Sequence, residues 1–171
     1  MADGGGSIVC AMTELALTRS PGDRRRFDLP GFGTLQVGGW ASRWASAEAG
    51  EQRWGFARRG LLRARIEATD PAGTVVGLFE GRSLKRGGVL RWGEHEYVLE
   101  PDSRWAERYA LRDGERRLAL LDGKGWGKRP VGVDVDDIAA TDPGLLLFAA
   151  FVVRARAEDA TASAGAASGA T

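Results

Sequence analysis

Apolar and polar residues alternate with period two over most of this chain. The clearest run is Leu62-Arg63-Ala64-Arg65-Ile66-Glu67-Ala68, apolar at even positions and charged at odd ones, the pattern of a strand with one buried face. Asp70-Pro71-Ala72-Gly73 then supplies a turn, proline presetting φ and glycine tolerating positive φ, before Thr74 to Glu80 resumes as an apolar strand. The same grammar recurs at Leu15/Leu17, Leu35/Val37, Trp54/Phe56, Val89 to Arg91, Glu94 to Glu100, Arg108 to Arg112, Arg117 to Leu121 and Val131/Val133/Val135. Trp92-Gly93-Glu94 and Asp113-Gly114-Glu115 read as tight corners. No helix-period segment separates these runs, which excludes a parallel sheet with crossover helices. The body from residue 8 to 135 is therefore expected to be antiparallel, and closed, because closure removes exposed sheet edges.

The pattern changes after Asp136-Asp137-Ile138-Ala139-Ala140-Thr141-Asp142-Pro143. Thr141 or Asp142 suits an N-cap and Pro143 the first helical position. Gly144 to Arg154 then has no polar face for more than two turns. Ten helical residues span roughly 15 Å, about half the hydrocarbon thickness of a bilayer, too short to cross it. A helix apolar all round is surrounded by protein. Its seven large side chains are Leu145, Leu146, Leu147, Phe148, Phe151, Val152 and Val153; burying them contributes on the order of 10 to 20 kcal/mol, gross. The expected fold is mainly β, a closed antiparallel barrel of about 10 to 12 strands around this helix. A sandwich would leave one side of the helix in water, and a re-entrant membrane segment is the remaining alternative.

Composition limits the chemistry. The 171 residues carry 24 basic and 23 acidic side chains and are 43% hydrophobic, which suits one folded domain and gives no reason to expect a nucleic-acid partner. One cysteine, Cys10, and one histidine, His95, rule out a disulfide framework and a structural zinc site. Of the basic residues, 21 are Arg and 3 are Lys, a ratio that goes with GC-rich bacterial coding, so arginine abundance alone does not signal phosphate recognition. Residues 1–7 read as a flexible, Gly-rich start without the cationic segment of a secretory signal. Residues 157–171, almost wholly Ala, Gly, Ser and Thr after Glu158 and Asp159, read as a mobile tail. The barrel is assigned to 8–156, with its helix at about 142–156.

Short strands ending in a wholly apolar helix, with Trp54-Gly55-Phe56-Ala57-Arg58-Arg59-Gly60, Arg108-Tyr109-Ala110-Leu111, Arg117-Leu118-Ala119-Leu120-Leu121 and Gly144 to Val153 in that order, resemble the Tubby C-terminal-like superfamily. The match in pattern covers about residues 8 to 156 and is similar to the LURP-one-related branch, distantly related to phospholipid scramblases. The resemblance implies a barrel around a central helix and, in some relatives, recognition of phosphoinositide headgroups by basic side chains. The cysteine cluster and membrane-spanning tail of the scramblases have no counterpart here, so scramblase activity is not carried over.

Charge is uneven along the chain: residues 53–130 carry 17 basic and 11 acidic side chains, and 131–171 carry 2 and 6. Arg82, Lys85, Arg86 and Arg91 from one segment, if they meet Lys124, Trp126, Lys128 and Arg129 from another, form a phosphate-binding patch; otherwise they are solvated surface charges. Gly123 to Lys128 lacks the spacing of a nucleotide-binding loop. Asp134, Asp136, Asp137 and Asp142 read as a solvent-facing strand residue and a helix-capping group rather than a calcium loop. Trp40, Trp44 and Trp54 are expected to pack in or across strands, whereas Trp126 and then Trp92 are expected to be exposed. His95 is placed in the core or at the rim, on the face of Tyr97 and Leu99, and Cys10 as a small buried thiol. No catalytic residue, metal or cofactor is assigned. The expectation is a monomeric, cytoplasmic, non-enzymatic binding or scaffold module, meeting anionic lipid at a membrane surface or another phosphate ligand through its basic loops. The alternatives are a protein-protein interaction module and a hydrolase with a site at the barrel mouth.

Overall fold

A computed structural model of the protein describes residues 12–38, 43–60, 65–82, 87–102, 108–124 and 130–167. Twelve strands follow one another in chain order: β1 (Thr13–Arg19), β2 (Arg26–Leu29), β3 (Gly33–Gly38), β4 (Trp44–Ala49), β5 (Gln52–Arg59), β6 (Arg65–Thr69), β7 (Val75–Gly81), β8 (Gly88–Trp92), β9 (His95–Pro101), β10 (Arg108–Asp113), β11 (Arg116–Asp122) and β12 (Val131–Val135). Each pairs antiparallel with its sequence neighbour, and β1 closes on β12 with Thr13 opposite Val135 and Leu17 opposite Val131. The ring therefore has no free edge.

The first half of helix α1 (Pro143–Ala167), through Ala155, fills the lumen. Leu145, Leu146, Leu147, Phe148, Phe151, Val152 and Val153 are all at most 1% exposed, so the all-apolar segment is encircled as its composition requires. The helix lies nearest to β4 and β3. Ala45 and Ala47 of β4 point inward and are fully buried, their small side chains admitting the close approach. Other walls reach across with larger groups, among them Phe79, Leu90, Leu99 and Leu111. Phe148 and Phe151 stack at 5.1 and 5.8 Å from the ring of Phe56, a spacing favourable for tilted aromatic pairs.

The start of the helix follows its sequence. Asp142 caps it, its Oδ1 accepting from the Leu145 N–H at 2.9 Å, and Pro143 occupies the first turn. The far end does not. The segment expected to be a mobile tail continues α1 to Ala167, consistent with the high helix propensity of alanine. Ion pairs anchor its exit, Arg154 Nε to Glu158 at 3.2 Å and Arg58 to Asp159. Burial pushes the Arg154 guanidinium below the usual arginine range, Glu158 opposing that shift, and the group lies 5.5 Å over the Phe27 ring. Among the described residues no helix is long and apolar enough to cross a membrane.

Candidate functional site

An up-and-down ring sends alternate connections to opposite rims. At the first rim stand the short turns 30–32, 50–51, 70–74, 93–94 and 114–115, together with the 136–142 lead into α1. Three of these turns are two-residue Gly-Glu pairs whose glycines, Gly50, Gly93 and Gly114, hold φ of 59°, 59° and 56°, a left-handed conformation that a hairpin corner requires and glycine adopts without a steric penalty. The acidic residues here are Glu51, Asp70, Glu94, Glu115, Asp136, Asp137 and Asp142, with no basic residue among them.

At the second rim the connections are longer, 20–25, 39–43, 60–64, 82–87, 102–107 and 123–130. In sequence these six segments hold 11 basic and 3 acidic residues. At described positions these connections hold Arg24, Arg25, Arg43, Arg82 and Lys124 against Asp23 and Asp102, and α1 emerges at the same rim with Glu158 and Asp159, which pair with Arg154 and Arg58. The molecule is therefore polarised along its axis although its net charge is only +1. Complementing the helix does not account for this. The macrodipole is equivalent to about half an elementary charge at each end, less than the charge of Glu51, Asp70, Glu94 and Glu115 alone, which stand on the turns apart from the helix cap.

The first rim is also the closed one. Trp54 and Trp92 lie 5.8 Å apart over the entry of α1, and Trp92 packs 5.7 Å from Phe148. Both indoles press on Gly144, where an added Cβ would lie 2.4 Å from Trp92 and 2.7 Å from Trp54. Trp92 is thus a lid over the helix start rather than an exposed corner residue. Tyr97 stands nearby; burial, then Asp113 and Asp142, raise its phenol above the ordinary tyrosine value. His95 is exposed at the same rim.

The four carboxylates weighed for calcium are each engaged otherwise. Asp136 takes two hydrogen bonds from Arg117, at 2.9 and 3.1 Å; Asp137 accepts from Arg116 at 3.0 Å and from the Ala140 N–H at 3.1 Å; and Asp142 caps the helix. Asp134 corrects the expectation of a solvent-facing residue, being only 7% exposed. It sits on the outer face in one row with Ala110 and Leu120, which are also buried, and accepts from Arg108 at 3.0 Å. Arg108 bridges to Asp122 at 2.6 Å, and the Asp122 hydrogen bond, opposed by desolvation, lifts its pKa above the usual arginine value. A cleft of about 410 Å³ is lined by Met12, Arg116, Arg117, Asp136 and Asp137; its two guanidiniums already hold its two carboxylates.

The expected phosphate patch is brought together only in part. Arg82 and Lys124 stand at the basic rim. Lys85, Arg86, Trp126, Lys128 and Arg129 lie outside the described residues, as do Cys10 and Trp40. The strands from which the 82–87 and 123–130 connections leave are four positions apart on the ring, a third of its circumference. Arg91 is not part of this rim. It lies near the opposite end of β8, on the outer wall, with Nε 3.3 Å from Glu96 and a longer 4.0 Å contact to Glu80.

Three arginines of the rim were not singled out from sequence. Arg24, Arg25 and Arg43 join it because β2 and β4 exist, and Trp44 is 52% exposed there. Its indole covers Gly38, the residue opposite it on β3, so it does pack across strands, but on the outer face. The outer wall between the rims is laced with ion pairs such as Arg53–Glu48, Arg65–Glu67 and Arg112–Glu100. Comparison of the chain with protein-family models, with curated proteins and with solved structures finds no match. The class is thus set by the architecture itself: a closed twelve-stranded antiparallel barrel whose lumen is taken by its own C-terminal helix.

Proposed function

We propose that this barrel is a non-enzymatic binding module that takes anionic groups, lipid headgroups or another phosphate ligand, at its basic rim. The observation that carries the reading is the segregation of charge between the two rims. Neither rim's charge is visible in the overall balance, and the wall between them is largely self-neutralised, so an anionic partner meets one favourable face. The lumen supports the same reading, because it is packed by helix α1 and leaves the rims and outer surface to meet a ligand. Each basic side chain near an anionic surface contributes about 1 kcal/mol, within a Debye length of roughly 10 Å at 0.1 M salt. The reading fits a Tubby C-terminal-like barrel acting as a monomer in a bacterial cytoplasm, peripheral at the membrane.

Liposome sedimentation at low salt tests it. The protein is expected to pellet with vesicles containing anionic lipid and to stay in solution with neutral ones, the difference fading as salt is raised. Equal recovery with both vesicle types at low salt removes the reading.

A further inference from the structure

The lumen ends at the basic rim in a small cluster of arginines. Along β1 the inward positions run Leu15, Leu17 and then Arg19, and along β5 they run Trp54, Phe56 and then Arg58. Register fixes these faces: Arg19 is opposite Phe27 and Arg58 opposite Ile66, both buried in the core. Each strand therefore closes its apolar period with a guanidinium at the mouth where α1 leaves. The helix supplies a third, Arg154, and two carboxylates about one turn further on, Glu158 and Asp159.

The two sides of this exit differ. On the β5 side Arg58 is paired with Asp159. On the β1–β2 side two arginines share one ring, with Arg19 Cζ 5.8 Å and Arg154 Cζ 5.5 Å from the centroid of Phe27. Glu158 meets Arg154 at 3.2 Å, whereas Arg19 has no carboxylate partner among the described residues. Burial lowers the Arg154 guanidinium, Glu158 opposes this, and the like charge of Arg19 adds to it. Two cations gathered on one aromatic ring and served by one carboxylate leave an unmet demand for negative charge. Arg19 is exposed, while the Arg154 side chain is only 17% exposed. An anion arriving from the rim therefore passes from a wet guanidinium to a partly dry one, where charge-assisted hydrogen bonds are stronger.

We propose that this exit holds the anion site of the barrel: one phosphate group, free or on a lipid headgroup, received between the guanidiniums of Arg19 and Arg154 beside Phe27, with Glu158 as the competing intramolecular anion. The planar N–H forks of the two arginines donate to the phosphate oxygens. The site rests on the anion-binding reading above and narrows it to one point on the rim, built wholly of strand and helix residues.

The test measures binding of inorganic phosphate to the full chain by isothermal titration calorimetry, with ionic strength held constant by sodium chloride. One saturable phosphate per chain is expected. Arg19→Gln is expected to weaken it roughly tenfold, the scale of losing a hydrogen bond to a charged group. Arg154→Lys keeps the charge but not the planar fork and is expected to lose several-fold. Glu158→Gln removes the built-in competitor and is expected to tighten binding several-fold, a gain that a purely structural anchor would not give. Arg53→Gln, on the outer wall, is the control and is expected to leave the affinity unchanged. Thermal melts by circular dichroism establish that each variant is folded. Unchanged affinity in Arg19→Gln, or an equal loss in Arg53→Gln, overturns the site. Soluble dihexanoyl phosphatidic acid distinguishes the source of the phosphate: tighter binding than inorganic phosphate assigns a lipid headgroup, equal binding assigns the bare group, and both support the site. A chain that prefers anionic vesicles but binds neither small ligand overturns the site and leaves the anion-binding reading standing. A chain that does neither removes both.

Discussion

The two rims of the barrel are built by different rules. At the acidic rim, turns of two residues recur, the helix is capped by Asp142, and two tryptophans close over Gly144. At the basic rim every connection has at least five residues, and the helix leaves the lumen through a collar of ion pairs. Short glycine corners and aromatic packing commit the backbone at one end. The other end holds its charges on longer spans. The contrast teaches a division of labour, in which one rim fixes the helix in the ring by close packing and the other, on the function proposed above, meets an anionic partner.

The sharpest way to break the contrast is to disturb the closed end. Gly144→Val places side-chain atoms where two indoles already sit, and is expected to destabilise the protein by about 1 to 3 kcal/mol, read as a lower midpoint in urea unfolding. Next is Asp142→Ala, which leaves the Leu145 N–H without its capping oxygen. The expected loss is about 1 kcal/mol, again from denaturant melts. At the open end the corresponding change is smaller. Removing the partly exposed Arg58–Asp159 pair through Asp159→Ala is expected to cost less than about 1 kcal/mol, and a double-mutant cycle with Arg58→Ala isolates the pair. A cost at Asp159 equal to that at Gly144 contradicts the division between the rims.

The smallest expected effect is on pH dependence. Tyr97 has a folded-state pKa above its unfolded value, so the folded protein holds that proton more tightly. The stability this contributes is complete below the ordinary tyrosine value of about 10 and is lost as pH rises through the folded value. Thermal midpoints are expected to fall across that alkaline range, and to fall less steeply in Tyr97→Phe. Identical slopes for the two proteins exclude Tyr97 as a source.

Much of this architecture was legible in the chain. Period-two runs with charged outer positions located most strands, and an apolar helix without a polar stripe demanded an enclosing sheet. Two strands escaped for physical reasons. β4 turns only alanines inward, Ala45, Ala47 and the partly buried Ala49, side chains too small to register as a hydrophobic period although they are what lets the helix approach. β2 is four residues long, with Phe27 and Leu29 as its buried positions. Missing them merged the connections at 20–25 and 39–43 into irregular stretches and hid Arg24, Arg25 and Arg43 as members of one rim. Charge polarity was hidden for a related reason. Along the chain, acidic and basic connections follow each other and cancel in any long segment; the meander alone sorts them to opposite ends. Trp92 and Asp134 defeated local reading because their cover comes from distant parts of the chain, Phe148 in one case and Arg108 in the other.

The closure of β1 on β12 also constrains the order of events in time. A helix that follows the last strand cannot be threaded through a ring already sealed, so the seam between Leu17 and Val131 has to zip after α1 has collapsed onto the β3–β4 wall. During synthesis the sheet is expected to stay open, its apolar interior unfilled, until Val153 has cleared the ribosome. Pulse-labelled hydrogen exchange during refolding is expected to protect β3 and β4 amides before those of the β1–β12 seam, as nonlocal pairing of this span is slow to form. Until that last zip, the half-made barrel is at its most vulnerable to aggregation.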